Sequence, residues 1–358
     1  GEVTMIDARD MRTAEVVRVE KLQGHGDGVD ADARFAYVST GHHGHDPSRS
    51  KEENFGRGHG LEIFDIAADP FRPRFVSRVQ FPRFYSLGKD YWTPVACGRT
   101  VFCADTYNGL FAVDASDPRE PKTIGRITAR TSRPWKDYDG NEISLTPVKD
   151  LAPGEGVVYF AVPRGGLYLT ATDRAFPRVP RRAVAPKNAG YRADYPHESA
   201  HFDVWRPDSR VQVRGAAAWR DVLYVACSDL GLVLLRRDSA GALVETGRLD
   251  GRYVGDVKVV DGRLYAAEGT AGVAVYDLAD PVKPREIARL RDFGEAVNFA
   301  AWVWAPLPGW IVVSNRESGC VYLRVGADGQ MKRVLRCDGC PGWDRYVADR
   351  AIGGRWIA

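Results

Sequence analysis

Histidine is the side chain whose charge changes nearest neutral pH, and it is also a common ligand of transition metals. The chain has seven: His25, His42, His43, His45, His59, His197 and His201. Four of them fall in one polar stretch, GHHGHDPSRSKEENFGRGHG (41–60), with His25 shortly before it. The other two lie in HESAH (197–201), inside DYPHESAHFDVW. Those letters spell the helical zinc-protease pattern, but the surroundings are not helix-forming, and that chemistry needs both imidazoles on one helix face. Polar segments elsewhere carry Tyr91, Trp92, Trp135, Tyr138, Tyr191, Tyr253 and Trp343. Residues 174–210 are basic, with eight Arg or Lys, Arg182 and Arg192 among them, against four acids.

Three chemistries suit this inventory. His42, His45, His59, His197 and His201 are the residue types that hold a divalent metal such as Zn, Mn or, with oxygen donors, Ca. Acid–base cleavage of an acidic sugar by β-elimination needs a base near neutrality, a proton donor for the leaving oxygen and a cation against the carboxylate. His25 or His43, Tyr91 and Arg192 suit those tasks, with Arg182 as a second cation. Trp92, Trp135, Tyr138, Tyr191, Tyr253 and Trp343 offer stacking faces for sugar rings. The third reading is a binding surface for a glycan or protein, without catalysis.

The elements that must position these residues are legible from a repeat. GLEIFDIAADPFRP (60–73), GLFAVDASDPREP (109–121) and GVAVYDLADPVKP (272–284) share a Gly, an alternating apolar strand, an Asp and an Asp-Pro turn. Looser copies begin at Gly166, Gly231 and Gly319. Before each copy stand two apolar runs around a tight turn, as in VKVVDGRLYAAEG (257–269). One unit therefore reads as four antiparallel strands, with Gly permitting φ > 0 where the chain reverses and Asp-Pro making a type I turn. A lone four-stranded sheet cannot bury both faces, so such units stack into a ring.

Six complete units are present, with third strands near residues 61, 110, 167, 232, 273 and 320. The C-terminal WDRYVADRAIGGRWIA reads as the first two strands of another unit, and the N-terminal EVTMIDARDMRTAEVVRV as its last two. The expected fold is a single all-β domain over 1–358, a seven-bladed β-propeller whose closing blade combines about 1–20 with 343–358. The long insertions (41–59, 82–94, 127–142, 185–209, 291–296 and 337–346) all precede a first strand or follow a second one, which puts them on one face.

The Gly-strand-Asp-x-x-Asp-Pro unit resembles the LVIVD-repeat family of secreted and cell-surface propellers. That resemblance implies a propeller and export. The placing of histidines and a tyrosine on one face is similar to that in propeller-type polysaccharide lyases, the ulvan lyases among them. It implies catalytic roles for His25, His43 and Tyr91.

With 50 basic and 47 acidic residues the charge is too balanced to suggest nucleic acid. No stretch is apolar for long enough to span a bilayer. GEVTMIDARD is not a signal peptide, so an exported form is expected to have lost its signal before residue 1. Cys337 and Cys340 form CDGC without a βαβ context or a second ligand pair, and a redox or zinc role is not expected of them. There is no G-x-S-x-G, P-loop or dinucleotide fingerprint. The expectation is a secreted, periplasmic or cell-surface monomer that takes an anionic carbohydrate or a protein on its loop-rich face.

Overall fold

A computed structural model describes residues 2–7, 15–41, 58–81, 92–105, 109–127, 129–136, 142–146, 148, 150–154, 156–162, 166–171, 204–205, 211–249, 252–293, 300–307, 309–315, 319–337, 350–352 and 355–357. Among them there is no helix. The chain is all-β, with seven four-stranded antiparallel sheets, the architecture of a seven-bladed β-propeller. It divides into two compact units. One comprises Gly1–Met5, Val16–Lys149 and Thr170–Phe202; the other comprises Ile6–Glu15, Asp150–Leu169 and Asp203–Ala358.

The sheet formed by the chain ends contains β1 (Glu2–Asp7), β2 (Glu15–Lys21), β29 (Arg350–Ile352) and β30 (Arg355–Ile357), in the order β2-β1-β30-β29. The expected pairing of N- and C-terminal strands is therefore present. In the first unit, β3 (His25–Ala31), β4 (Phe35–Gly41), β5 (Gly60–Asp65) and β6 (Arg74–Gln80) form one sheet. The next comprises β7 (Trp92–Cys97), β8 (Thr100–Asp105), β9 (Gly109–Asp114) and β10 (Lys122–Ile127). A further pair, β11 (Ala129–Lys136) and β12 (Glu142–Thr146), is a hairpin where the sequence suggests only an insertion. Its eight- and five-residue strands lack the Gly and Asp-Pro marks of the repeat.

The remaining sheets follow the same plan. They are β13 (Asp150–Gly154), β14 (Val157–Val162), β15 (Gly166–Ala171) and β16 (Val204–Trp205); β17 (Gly215–Trp219), β18 (Val222–Ala226), β19 (Leu232–Arg237) and β20 (Leu243–Leu249); β21 (Asp256–Val260), β22 (Arg263–Ala267), β23 (Val273–Asp277) and β24 (Arg285–Leu290); and β25 (Trp302–Leu307), β26 (Trp310–Asn315), β27 (Gly319–Val325) and β28 (Met331–Cys337).

Second and third strands are covered on both faces by neighbouring sheets, which is why they read as unbroken apolar runs. Every residue of VLYVA in β18 is buried. In the first unit Leu61 and Ile63 pack with Val101, Phe111 and Val113 across the gap between sheets. Each such side chain contributes roughly 1.5–3 kcal/mol by leaving water. Neighbouring sheets meet through their first strands, β3 against β7 in the first unit, and β13, β17, β21 and β25 in succession in the second.

The repeat chemistry acts as its residue types require. Asp65, Asp114 and Asp277 accept bonds from Ala67, Ser116 and Ala279 backbone N–H, and Asp69, Asp117 and Asp280 do the same one turn later. The Asp-Pro turns also latch sheets together. Ser77 donates to the Pro118 carbonyl at 2.5 Å, and Tyr224 donates to that of Pro281 at 2.7 Å. At Gly272 φ is +88°, and a Cβ would sit 2.0 Å from the Leu290 carbonyl. Gly60 departs from the expectation of positive φ. The left-handed residue there is Gly58, and Gly60 is required by space, since its Cβ would lie 2.0 Å from the Val79 carbonyl.

Candidate functional site

In the first unit, the ends of second strands and the starts of first and third strands come together. Glu62 on β5 accepts bonds from the backbone N–H of Gln23 (2.8 Å) and Gly24 (3.4 Å), just before β3. Thr40 at the end of β4 donates to the Gly58 carbonyl at 2.5 Å. The crossing is so close that a Cβ on Gly24 would be 2.2 Å from the Gly58 oxygen. His25, the first residue of β3, lies opposite Gly41, after which the histidine-rich insertion begins. His25 thus starts a strand, where the sequence suggests an entering loop.

His59 closes that insertion. Its Nε2 lies 3.0 Å from Oδ2 of Asp105, the last residue of β8 in the neighbouring sheet, and both side chains are 4% exposed. Asp105 stands opposite Trp92 on β7, so the residue after Tyr91 is in register with the carboxylate that holds His59. The His59 carbonyl accepts from Phe81 N–H at 2.9 Å. The Phe81 ring meets the imidazole edge-on at 6.1 Å and stacks on Phe111 at 4.3 Å. Arg126, itself buried, places its guanidinium 5.7 Å from the centre of the Phe111 ring. An imidazole fixed by a carboxylate and backed by an aromatic ring is the arrangement that holds a tautomer and orients a base.

Beside it, Arg78 on β6 donates from Nη1 to Gln23 Oε1 at 3.0 Å, with its Nε 3.9 Å from Glu62. Burial pushes the Glu62 carboxyl up, against the pull of the Gln23 N–H and Arg78, and burial lowers the Arg78 guanidinium. Desolvation therefore outweighs the mutual attraction of this pair.

The second unit has an acid in the equivalent position. Glu268, just after β22, has its N–H bonded to the Gly272 carbonyl, as Asp105 pairs with Gly109. It accepts from the Tyr276 hydroxyl at 2.6 Å and from Arg289 Nη1 at 2.7 Å. Arg289 also grips Glu286 through Nε (2.8 Å) and Nη2 (2.6 Å), and Arg252 reaches Glu286 at 2.9 Å. Burial alone would lower Arg289, but its bonds to Glu286 and Glu268 more than offset this and raise it. The Arg289 bonds hold the Glu286 carboxyl below its usual range. Burial, then the Glu268 charge, pushes the Tyr276 phenol up.

Of the candidates named from sequence, the structure brings His25, His59 and Trp92 to one end of two adjacent sheets. Trp135 lies on β11 opposite Ile143 rather than in a loop. Tyr253 is half-buried in the second unit, where its ring would lie 3.0 Å from a Cβ on Gly255. His42, His43, His45, Tyr91, Tyr138, Arg182, Tyr191, Arg192, His197, His201 and Trp343 lie outside the described residues. Among the described residues no three His, Cys, Asp or Glu side chains group to hold a metal; His59 and Asp105 supply two donors. Cys103 and Cys227 are buried thiols, pushed up by desolvation, Cys227 to about 12, so neither is a thiolate at neutral pH.

Asp105, Arg78, Arg126 and Arg289 are absent from the sequence-based candidates. The arginines had a signal: five fourth strands have one opposite the residue two places after the repeat Gly, β16 being an exception with Val204 there. Arg78 faces Glu62, Arg126 Phe111, Arg248 Val233, Arg289 Ala274 and Arg336 Val321. In sequence these are SRV, GRI, GRL, ARL and LRC. Asp105 had none, because one acid at a strand end looks like any turn residue.

No protein-family model matches the chain, and no curated protein matches it. A solved structure does share its fold. A Bacteroides fragilis protein provisionally called a 6-phosphogluconolactonase superposes with a TM-score of 0.57 at 10% identity, covering 94% of this chain and 96% of that one. BamB of Moraxella catarrhalis superposes with a TM-score of 0.49 at 13% identity, covering 90% of this chain and 80% of that one. At such identities the likeness concerns the fold alone.

Proposed function

We propose that the protein is an exported propeller of the LVIVD-repeat kind, folded as one domain over 1–358, that takes an acidic, uronate-containing glycan and cleaves it by β-elimination. The observation that carries this reading is the buried His59–Asp105 pair. It ties the end of the histidine-rich insertion to the neighbouring sheet, beside the strand starts at His25 and Trp92. A rigid frame beneath long loops is what positions catalytic side chains. In the reaction His43 or His25 removes the proton next to the uronate carboxylate, Tyr91 protonates the leaving glycosidic oxygen, and Arg192 or Arg182 offsets the carboxylate charge. Elimination leaves a double bond in the new non-reducing sugar and consumes no water.

Incubation with a panel of uronic-acid polysaccharides tests this. Ultraviolet absorbance from the unsaturated product should rise, and His43→Ala and Tyr91→Phe should stop it without lowering Tm. A flat trace across the panel overturns the cleavage.

One observation favours a second reading, glycan binding without cleavage. The only histidine whose side chain is described, His59, is 3% exposed and beyond the reach of a sugar as placed. In that reading the oligouronates bind, no absorbance develops, and His43→Ala weakens binding alone.

A further inference from the structure

The outer strands of the sheets face away from the packed interior, and each therefore presents an edge with unpaired backbone groups. Natural sheets blunt such edges with charge, Pro or bulges, because an apolar edge pairs with whatever strand it meets. Most outer strands here follow that rule. β6, β10 and β20 each leave one large apolar side chain exposed, Phe75, Ile124 and Val244 respectively. β10 and β20 are also interrupted by register shifts at Thr123/Gly125 and Leu234/Leu235, and β6 by one at Ile63/Phe64. β24 exposes none.

β2 is different. It is the edge strand of the sheet formed by the chain ends, with sequence EVVRVEK. Val16, Val17 and Val19 are 60%, 46% and 45% exposed, so apolar side chains are open on both faces of the strand. β-Branched residues of this kind are the ones that favour strand pairing. The two charges between and beyond them, Arg18 and Glu20, contact each other, which leaves the edge close to neutral.

We propose that β2 is a docking edge for a second copy of this chain, pairing antiparallel with its own counterpart about a two-fold axis at Val19. This departs from the expectation of a monomer and does not depend on the glycan reading. Charge selects the register. With the axis at Val19, Arg18 of each copy stands opposite Glu20 of the other, giving two cross-strand ion pairs. On the opposite face, Val19 meets Val19, and each Val17 is covered by the methylene stem of Lys21. With the axis at Arg18, the two guanidiniums would face each other, which destabilises a ladder as much as opposite charges favour it. An isologous pairing of this kind closes on itself and stops at two copies, because it uses up the β2 edge of each copy.

Equilibrium sedimentation over a dilution series is the test, using the whole chain. The wild type should pass from monomer to dimer as concentration rises, and no higher species should form. Arg18→Glu places like charges opposite and should raise the dimer Kd at least about tenfold. Glu20→Arg should do the same, and the double charge reversal should restore the wild-type Kd. All three changes are on an exposed strand, so Tm should move by no more than a degree or two, as is usual for surface substitutions. A wild type that stays monomeric at every concentration overturns the proposal. So does a dimer indifferent to all three variants, or a mass that climbs past two copies.

Discussion

Asp105 and Glu268 occupy the same place in their sheets, opposite or beside the repeat glycine where the second strand ends, yet they are partnered in different ways. Glu268 finds its cation within its own sheet. Arg289 comes from the fourth strand, Tyr276 from the third, and Glu286 and Arg252 complete a closed network. Asp105 finds its partner across the gap between two sheets, in an imidazole delivered by the histidine-rich insertion. The first arrangement is self-contained and stabilises one blade. The second makes the geometry of an inter-blade pair depend on a loop, which is what a ligand-responsive site needs. The same repeat position thus serves as structure in one unit and as a candidate site in the other.

The comparison breaks most visibly at Arg289. Arg289→Ala removes the nearer of two cations on buried Glu268, leaving Arg252 at 3.5 Å, and should cost about 3 kcal/mol, the low end of the range for breaking a buried pair. Denaturant titration measures it, and ligand binding should be unchanged. Asp105→Ala should cost less, about 1–3 kcal/mol, the range for leaving one buried hydrogen-bonding group without its partner. A double-mutant cycle between His59→Ala and Asp105→Ala sharpens the point, with an expected coupling of about 0.5–3 kcal/mol. Here, unlike at Arg289, glycan affinity should fall as well.

How far these two regions were legible in the sequence differs for a physical reason. Strand order and the stitched blade follow from Gly, apolar alternation and Asp-Pro, all local signals with fixed spacing, so β5, β9, β15, β19, β23 and β27 lie where the repeat puts third strands. The ladder partners of Arg289 are also spaced by the repeat. The His59–Asp105 contact joins residues 46 apart through an insertion that breaks the period. Only the presence of His59 in a loop ending at a repeat glycine hinted at it, and nothing in the letters marked Asp105 as its partner. The β11–β12 hairpin was missed likewise, because it lies outside the repeat.

A smaller effect separates the two acids that flank these sites. The carboxyl of Glu286 is held low, so its ionised form contributes stability above the unfolded pKa, and this is lost as pH falls through the folded value. The carboxyl of Glu62 is raised, which has the opposite sign: its folded form prefers the proton, so stability falls as pH rises from the unfolded value through the folded one. Local hydrogen exchange on acidification from neutrality should therefore show loosening around Glu286 first, while Glu62 opposes loosening in its own sheet. Glu62→Gln should change global stability by no more than about 1 kcal/mol, because the desolvation it relieves offsets the attraction to Arg78 that it removes.

Hydrogen-exchange mass spectrometry of the whole chain, with and without a saturating oligouronate, tests the central claim most directly. The account predicts new protection in peptides covering 42–59 and 82–94, weakened in Asp105→Ala, with the Glu268–Arg289 sheet unaffected. Protection confined to the second unit, or no change in either region with ligand bound, would contradict it.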